Sequence, residues 1–352
     1  MNDNPTTVPL RILIVRLSAI GDTIHSLPLA AALRDAHPHC HLGWVVEKPS
    51  APLIENNPLV DWVRVLPKGW LKSPRLVCGL RRDLKAQRFG IAFDVQGLSK
   101  SAIAARLSGA PVRIGFTRGE GREIAPLLDN WLVAPRGRHA VDRTLSLLGG
   151  IGLKPPAKPR FVLPACGPDD AARIDAALAG DAYRSGFVLM GPWGSFAAKL
   201  WPLDRFRTLA TALWEKARLP SLVLGHGTAE RGDIDRLVSD MPEGAVLRAA
   251  PDVGLPGVAE LARRATLFVG CDSFPMHAAA AVGCRTLGLF GVTDPERLGP
   301  YGPAGRYAYQ RITLVSSTRE RRRLGPENML DLEPGKVLRY AMEMLGSGAT
   351  GP

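Results

Sequence analysis

The sequence predicts an α/β protein made of two doubly wound domains that face each other across a cleft. Short apolar segments alternate with amphipathic ones along most of the chain, which is typical of a parallel sheet covered by helices on both faces. Closely spaced prolines interrupt this alternation over residues 152–168 and indicate a linker. Polar residues gather in the turns that follow apolar segments, where open α/β sheets bind their ligands.

These observations divide the chain into three parts. Residues 1–167 form an N-terminal domain, residues 168–332 form a C-terminal domain, and residues 333–352 form a final helix and tail. A length of 352 residues suits two domains, each large enough for its own core. The final helix is amphipathic and no strand follows it, so it is a candidate to pack back on the N-terminal domain.

The N-terminal domain shows five strand candidates and two clear helices. The helices are predicted over residues 23–34 and 100–107, and the strands are LRILIV, LGWVVE, WVRVL, GIAFDV and VRIGF. The C-terminal domain repeats the alternation. Its predicted strands are FVLMG, SLVLG, AVLR, 266–270 and 286–290, and its predicted helices follow Pro202 and Pro275 or cover residues 229–239, 258–264 and 333–345.

Composition limits the class of protein and its partners. The chain has 45 Lys and Arg against 33 Asp and Glu, a formal net charge of +12, so an anionic partner is expected. Charge alone does not decide whether that partner is nucleic acid, lipid head groups or phosphorylated sugars.

The five cysteines are scattered without CxxC spacing, which predicts reduced thiols and neither disulfides nor a zinc site. No signal peptide or spanning segment is evident, so a cytoplasmic protein, at most peripheral to a membrane, is expected.

The stretch 266–303 is the strongest candidate for a ligand site. It contains two successive strand-turn-helix units whose polar groups lie at the turns. A helix beginning near Pro275 would present free N–H groups and a positive dipole end at the sheet edge, which favours phosphate binding. The second turn contains Thr293 and Asp294. An ordinary βαβ unit with an aspartate at a helix start explains the same pattern almost as well.

Other candidates of the C-terminal domain each have a plainer alternative. Lys199 could bind a phosphate, or it could be a solvated surface lysine. Glu230 could belong to a ligand site at a strand end, or it could be an ordinary first-turn helix glutamate. His277 lies beside alanines and is expected to be buried and hydrogen-bonded. The DxD pair Asp233 and Asp235 falls inside a predicted helix, so no metal-diphosphate site is expected.

Asp22 is the candidate catalytic residue of the N-terminal domain. It follows the first strand and precedes a helix, so it could cap that helix or perform chemistry, and the two roles are compatible. The loop lacks a GxGxxG sequence, which argues against a nicotinamide or flavin enzyme.

Two basic clusters are also evident. One covers residues 64–88 and includes Trp70, Leu71 and Leu76 between its charges; the other covers residues 319–323. Solvated surfaces are the simpler interpretation of both.

Together these residues resemble glycosyltransferase family 9, the lipopolysaccharide heptosyltransferases, and most strongly the heptosyltransferase I branch. The resemblance covers almost the whole chain and rests on ordered blocks: SAIGDTIHSLP, WVVE, FDVQGLSKSA, HAVDRT, the K-x-WP at 199–202, the D-x-x-x-x-H at 272–277, and LFGVTDP with a later YG. The block around Asp272 reads DSFPMH where the family pattern has DTGxxH.

The resemblance implies two Rossmann-like domains of the GT-B type and an enzyme. It implies inverting, metal-independent transfer of a heptose from an ADP-sugar to the Kdo-lipid A inner core. Asp22 matches the catalytic base. The implied donor-binding residues are Ser195, Lys199, Glu230, Asp272, Ser273, His277, Thr293 and Asp294. The implied acceptor-binding residues are Arg16, Lys68, Lys72, Arg75 and Lys100.

The implied partners are a nucleotide-sugar donor, a phosphorylated glycolipid acceptor and the inner leaflet of the inner membrane, contacted peripherally by a cytoplasmic monomer. No cofactor, metal or nucleic acid is expected.

Two other hypotheses about the function stay open. A transferase of the same fold could use another nucleotide sugar or glycan, and a non-catalytic basic protein would bind nucleic acid with steep salt dependence. The sequence shows no nucleic-acid-binding motif.

Overall fold

The computed structural model describes residues 9–239, 247–315 and 318–346. The chain forms two compact units, Met1–Pro164 and Ala165–Pro352. Residues 152–167 contain no helix or strand, and the first helix of the second unit begins at Pro168. The boundary between the units therefore falls within the proline-rich segment.

The first unit contains a parallel sheet with the spatial order β3-β2-β1-β4-β5-β6 in its described residues. The short strand β6 at one edge is absent from the sequence prediction because its three residues, although apolar, are too few to show the alternation of a strand. The strands are β1 Arg11–Val15, β2 His41–Glu47, β3 Trp62–Leu66, β4 Ile91–Asp94, β5 Val112–Phe116 and β6 Trp131–Val133.

Helices cover this sheet, and their apolar faces form the core with the strands. The helix after β1 is three residues longer at its start than predicted. The α-helices are α1 Ile20–Ala36, α2 Pro74–Ala86, α3 Ser99–Leu107, α4 Ala125–Leu128 and α5 Ala140–Leu145. Short 3-10 turns cover Lys48–Leu53, Trp70–Lys72 and Ser146–Ile151.

The second unit repeats the same topology. Read from β9, its sheet has the order β9-β8-β7-β10-β11-β12, which matches the order of the first sheet strand for strand. The strands are β7 Val188–Gly191, β8 Ser221–Val223, β9 Leu247–Ala249, β10 Leu267–Cys271, β11 Thr286–Leu289 and β12 Gly305–Ala308. Strand β9 begins inside the predicted AVLR segment, part of which lies outside the described residues.

Five helices of the second unit agree with the predicted segments, with shifts of up to three residues at their ends. The α-helices are α6 Pro168–Leu178, α7 Leu203–Ala217, α8 Gly227–Ser239, α9 Leu255–Arg264, α10 Phe274–Ala281, α11 Pro295–Leu298, α12 Thr318–Arg321, α13 Glu327–Leu330 and α14 Pro334–Gly346. The other four, α6, α11, α12 and α13, are absent from the sequence prediction. 3-10 turns cover Asp181–Tyr183 and Ala197–Lys199.

The central strands β7 and β10 approach closely because glycines face each other. A Cβ at Gly270 would meet the carbonyl oxygen of Gly191 at 2.6 Å and the ring of Phe268 at 2.8 Å.

In each sheet the first and fourth strands of the unit lie side by side, at the point where the strand order changes direction. Ligands of open α/β sheets bind at the carboxyl ends of the strands at this switch point.

The final helix α14 packs within the second unit. Its buried residues Val337, Ala341 and Met344 belong to the core that contains α7 and β10. This packing accounts for the apolar face of the helix. Within the described ranges, no helix has both the length and the apolar character needed to cross a bilayer.

Candidate functional site

The loop after β1 holds Asp22 at the surface of the first unit. Helix α1 begins at Ile20, so Ala19 is the N-cap and Asp22 lies in the first turn. The Asp22 Oδ2 accepts a hydrogen bond from the Ala19 N–H at 3.3 Å and pairs with the Arg16 guanidinium at 3.0 Å. The side chain is 38% exposed. Asp22 therefore stabilises the helix start from inside the first turn, and the alternative that it is the N-cap residue does not hold, because Ala19 occupies that position.

Arg16 and the turn after β4 fix the conformation of this loop. The second arm of Arg16 donates to the Val95 carbonyl at 2.9 Å. The Gln96 side chain accepts from the Leu17 N–H at 3.0 Å and donates to the Ser18 hydroxyl at 3.3 Å. The loop that presents Asp22 is thus held to the adjacent central strand by side-chain hydrogen bonds.

Lys100 lies at the same sheet edge, at the start of α3. Its ammonium donates to the Ser18 hydroxyl at 2.9 Å and to the Glu47 carboxylate at 2.8 Å. Glu47 ends β2 and is buried. Arg16, Asp22 and Lys100 therefore belong to one polar network at the carboxyl ends of β1, β2 and β4.

The second unit has a denser network, centred on Asp272 directly after β10. The Asp272 Oδ2 lies 2.6 Å from the Lys199 Nζ and accepts a hydrogen bond from the Thr293 hydroxyl at 2.7 Å. The Oδ1 lies 3.5 Å from the His277 Nε2. The Lys199 ammonium also donates to the Asp272 carbonyl at 3.2 Å. The structure therefore brings together four predicted donor residues from the ends of β7, β10 and β11.

Charge stabilises this buried carboxylate. Asp272 is only 3% exposed, and burial alone would raise its pKa. The Lys199 ammonium and the hydrogen bond from His277 outweigh burial and hold the pKa of Asp272 well below the usual range of aspartate. Beside it, burial raises the pKa of the Cys271 thiol to about 12, so this cysteine stays a neutral thiol that donates to the Pro192 carbonyl at 3.3 Å.

The remaining predicted donor residues lie around this cluster in different settings. Ser195 is exposed in the loop between β7 and Lys199. Ser273 is the N-cap of α10, and Asp294 is the N-cap of α11 and accepts from the Glu296 N–H at 3.0 Å. Glu230 lies in the first turn of α8, where its carboxylate accepts from the His226 N–H at 2.8 Å.

The basic cluster of residues 64–88 is a mixture of paired and exposed charges. Arg64 and Arg82 both pair with Asp83, at 3.2 and 3.1 Å. Lys68, Lys72 and Arg75 are exposed.

Trp70, one of the apolar residues interleaved with this cluster, departs from the surface pattern that the sequence indicates. Trp70 is buried in the core of the first unit. Leu71 is partly exposed.

Asp233 and Asp235 lie in α8 as predicted, and Asp233 pairs with Arg236 on the same helix. Across the residues that the structure describes, no three His, Cys, Asp or Glu side chains group in a way that could hold a metal ion.

Sequence reasoning missed Gln96 and Glu47 as parts of the first network. Gln96 lies in the turn that directly follows β4, and Glu47 is the last residue of β2. Their positions at strand ends were a usable signal. It was overlooked because both residue types are common on surfaces.

The two Rossmann-like units have the fold of GT-B glycosyltransferases, with a polar network at the switch point of each sheet. The chain belongs to glycosyltransferase family 9 (heptosyltransferase), whose family model matches residues 77–322. It is 32% identical over 307 residues to lipopolysaccharide heptosyltransferase 1 of Pseudomonas aeruginosa, covering 83% of this chain and 82% of that protein. The corresponding Escherichia coli K12 protein is 28% identical over 306 residues, covering 83% and 91%.

Solved structures show the same fold. Escherichia coli heptosyltransferase WaaC with ADP superposes with a TM-score of 0.72 at 23% identity, covering 97% of this chain and 99% of that chain. A family 9 glycosyltransferase from Veillonella parvula superposes with a TM-score of 0.75 at 18% identity, covering 96% and 97%. The predicted family, the α/β fold class and the assignment as a glycosyltransferase are therefore confirmed.

Proposed function

We propose that the protein transfers a heptose, with inversion, from an ADP-sugar to the Kdo-lipid A inner core of lipopolysaccharide. The observation that carries this proposal is the 32% identity to a lipopolysaccharide heptosyltransferase 1 over 83% of the chain. An ADP-sugar donor is supported by the fold shared with WaaC, which was solved with ADP and with ADP-2-deoxy-2-fluoro heptose.

The Lys199 network suits the donor diphosphate. An ammonium has three N–H donors, and Lys199 directs two toward the Oδ2 and the carbonyl of Asp272, which leaves one for a phosphate oxygen. Helix α10 begins one residue after Ser273, so its free N–H groups add partial positive charge at the same edge. Both features would stabilise the negative charge that develops on the departing diphosphate.

Asp22 is the proposed general base. Its Oδ2 is engaged by Arg16 and the Ala19 N–H, while its Oδ1 lies 3.9 Å from the His25 Nδ1. The Oδ1 is therefore the oxygen suited to remove the proton of an attacking acceptor hydroxyl. A single displacement assisted by one base inverts the anomeric centre.

The acceptor is assigned to the first unit. Lys68, Lys72 and Arg75 are exposed cations next to β3 and at the start of α2, which suits a phosphorylated glycolipid. Arg16 and Lys100 would contribute to the same site. Such an acceptor lies at the inner leaflet, so we propose peripheral membrane contact from the cytoplasm, by a monomer that uses no metal.

Two alternatives lead to different measurements. A transferase of the same fold with another donor would be stabilised by UDP- or GDP-sugars. A non-catalytic basic protein would bind nucleic acid with steep salt dependence and show no nucleotide-sugar affinity. The match to the family 9 model over residues 77–322 favours the transferase.

A thermal-shift screen over ADP-, UDP- and GDP-sugars, followed by a transfer assay on Kdo-lipid A, tests the proposal. We expect stabilisation by ADP-heptose and product formation that survives a chelator. Stabilisation by a different nucleotide sugar alone would move the protein to the first alternative, and a strict manganese or magnesium requirement would contradict the metal-free mechanism.

A further inference from the structure

A pair of buried carboxyl groups lies behind the loop that presents Asp22, and the mechanism above does not use it. Asp94 ends β4 and is fully buried; Asp129 follows α4 and is almost fully buried. They are 35 positions apart in the sequence, but the sheet brings them together. Phe93 pairs with Ile114 across β4 and β5, so Asp94 and Gly115 are the next neighbours.

Gly115 creates the space for this pair. The Asp129 carboxyl group occupies the position that a Cβ at Gly115 would fill. Any other residue at this place in β5 would displace the carboxyl group. Because glycine has no side chain, it leaves room for the Asp129 carboxyl group to lie beside Asp94.

The hydrogen bonds of the pair are incomplete without a proton. The Asp94 Oδ1 accepts from the N–H groups of Gln96 and Gly97, at 3.1 and 3.0 Å. The Asp94 Oδ2 and both Asp129 oxygens are buried without a partner. Two unpaired buried carboxylates would be very costly, whereas one proton between them supplies a donor and removes one charge.

We propose that Asp129 holds a proton and donates it to Asp94, and that this acid pair positions the loop that carries Asp22. Asp94 sets the turn that contains Gln96. The Gln96 side chain in turn holds Leu17 and Ser18, and Arg16 bonds to Val95 in the same turn. Asp94 and Asp129 are thus positioning residues that act through Gln96 and Arg16.

The charged surroundings are consistent with one shared proton. Burial and the neighbouring Asp94 raise the pKa of Asp129 to about 8, and burial raises the pKa of Asp94 to about 6. Arg16, on the loop after β1, opposes the rise at Asp94, and Arg113, on β5, opposes it at Asp129. The Ser101 hydroxyl of α3 also faces Asp94, and Arg106 of the same helix faces Arg113.

The sign of the pH effect follows from the raised pKa values. Below the unfolded pKa of aspartate, about 4, the raised pKa of Asp129 contributes its full stabilisation to the folded state. This stabilisation is lost as the pH rises toward the folded pKa of about 8. The melting temperature of the wild-type protein should therefore fall relative to that of Asp129→Asn across this range. The amide of asparagine donates a hydrogen bond at every pH.

Infrared spectroscopy of the full-length protein tests the proton directly. At pH 7 the wild type should show the C=O stretch of a buried protonated carboxylic acid, and Asp129→Asn should lack it. Glu55→Gln is the matched control, because Glu55 is an exposed carboxylate of the same unit, and it should keep the band. A wild-type spectrum without the band at pH 7 would overturn the proposal.

Kinetics test the positioning role, which rests on the proposed function. Asp129→Asn should keep kcat and lose any alkaline decline. Asp129→Leu fills the same space but cannot donate, so its kcat should fall about tenfold, as expected for one lost charge-assisted hydrogen bond, with donor KM unchanged. Equal kinetics of the two variants at every pH would reduce Asp129 to a packing residue. If the wild type transferred no heptose, the proposed function would fail, while the band and the melting temperatures would still decide on the shared proton.

Discussion

The two units share one strand order, yet they present opposite charges at the same place in the fold. In each sheet the polar network lies where the first and fourth strands are neighbours. In the first unit the acid is presented, because Asp22 is 38% exposed and Arg16 behind it is 13% exposed. In the second unit the acid is buried and supports a cation, because Asp272 is 3% exposed beneath Lys199.

This difference matches the two charges that sugar transfer requires. An acceptor hydroxyl must lose a proton, which suits an exposed carboxylate. A departing diphosphate gains negative charge, which suits an ammonium fixed in place by a buried partner. The shared topology supplies the position, and the burial of the acid decides which charge the proposed site presents.

The largest effect is expected from breaking the buried pair of the second unit. Lys199→Met leaves the Asp272 carboxylate buried without its cation, so the free energy of unfolding should fall by about 3–5 kcal/mol, and affinity for ADP should fall with it. Chemical denaturation and calorimetric ADP titration measure the two losses. Adding Asp272→Asn should restore much of the stability but none of the ADP affinity. Full recovery of both would assign Lys199 a structural role only.

The same pair predicts a pH dependence. The folded pKa of Asp272 is depressed, so its contribution to stability is present above the unfolded value of about 4 and is lost as the pH falls below it. Wild-type stability should therefore decline more steeply in acid than that of Asp272→Asn. Parallel acid denaturation curves would show that the pair makes no net contribution.

The next largest effect concerns the exposed acid. Asp22→Asn keeps the shape and the hydrogen bond to the Ala19 N–H, so folding and donor affinity should be unchanged. Loss of the base should lower kcat about a hundredfold or more. Asp35→Asn, in the last turn of the same helix, is the matched control and should retain full turnover. An Asp22→Asn protein with wild-type kcat would remove the base from the mechanism.

How much the sequence could predict differs between the two networks. Asp22 lies in the polar segment between the first strand and its helix, so the strand-turn-helix pattern located it, whereas Asp272, directly after β10, was assigned through the resemblance to family 9. The Lys199–Asp272 pair joins residues 73 positions apart, and only the register of β7 beside β10 shows that they meet.

The Asp94–Asp129 pair was beyond sequence reasoning for a similar reason. Asp129 follows a four-residue helix that no periodicity reveals, and its partner is set by the glycine in β5. The charges that surround Trp70 in the sequence predict a surface residue. The side chain instead turns into the core.

A smaller effect is expected from the exposed cations of the first unit. Replacing Lys68, Lys72 and Arg75 together by alanine should raise the acceptor KM about tenfold, since each exposed charge contributes about 0.5 kcal/mol. Donor KM should not change, and added salt should mimic the loss in the wild type. The control replaces three exposed lysines of the same unit: Lys48, Lys154 and Lys158. Equal acceptor KM values for the two triple variants would show that only the net charge of the unit matters, and not the position of Lys68, Lys72 and Arg75.

The smallest effect should come from Glu230, one of the proposed donor residues outside the Asp272 network. Its carboxylate accepts the His226 N–H at 2.8 Å, and a glutamine can accept the same bond, so Glu230→Gln should fold as the wild type does. A neutral amide is a weaker acceptor than a carboxylate, so donor affinity should fall about fivefold if this side chain contacts the nucleotide sugar. Asp233→Asn removes a carboxylate from the same helix, where Asp233 is engaged by Arg236, and should bind donor normally. Calorimetry that gave the two variants equal affinity for the donor would leave Glu230 as only a first-turn residue of α8. The proposed donor site of the second unit would then be confined to the ends of β7, β10 and β11.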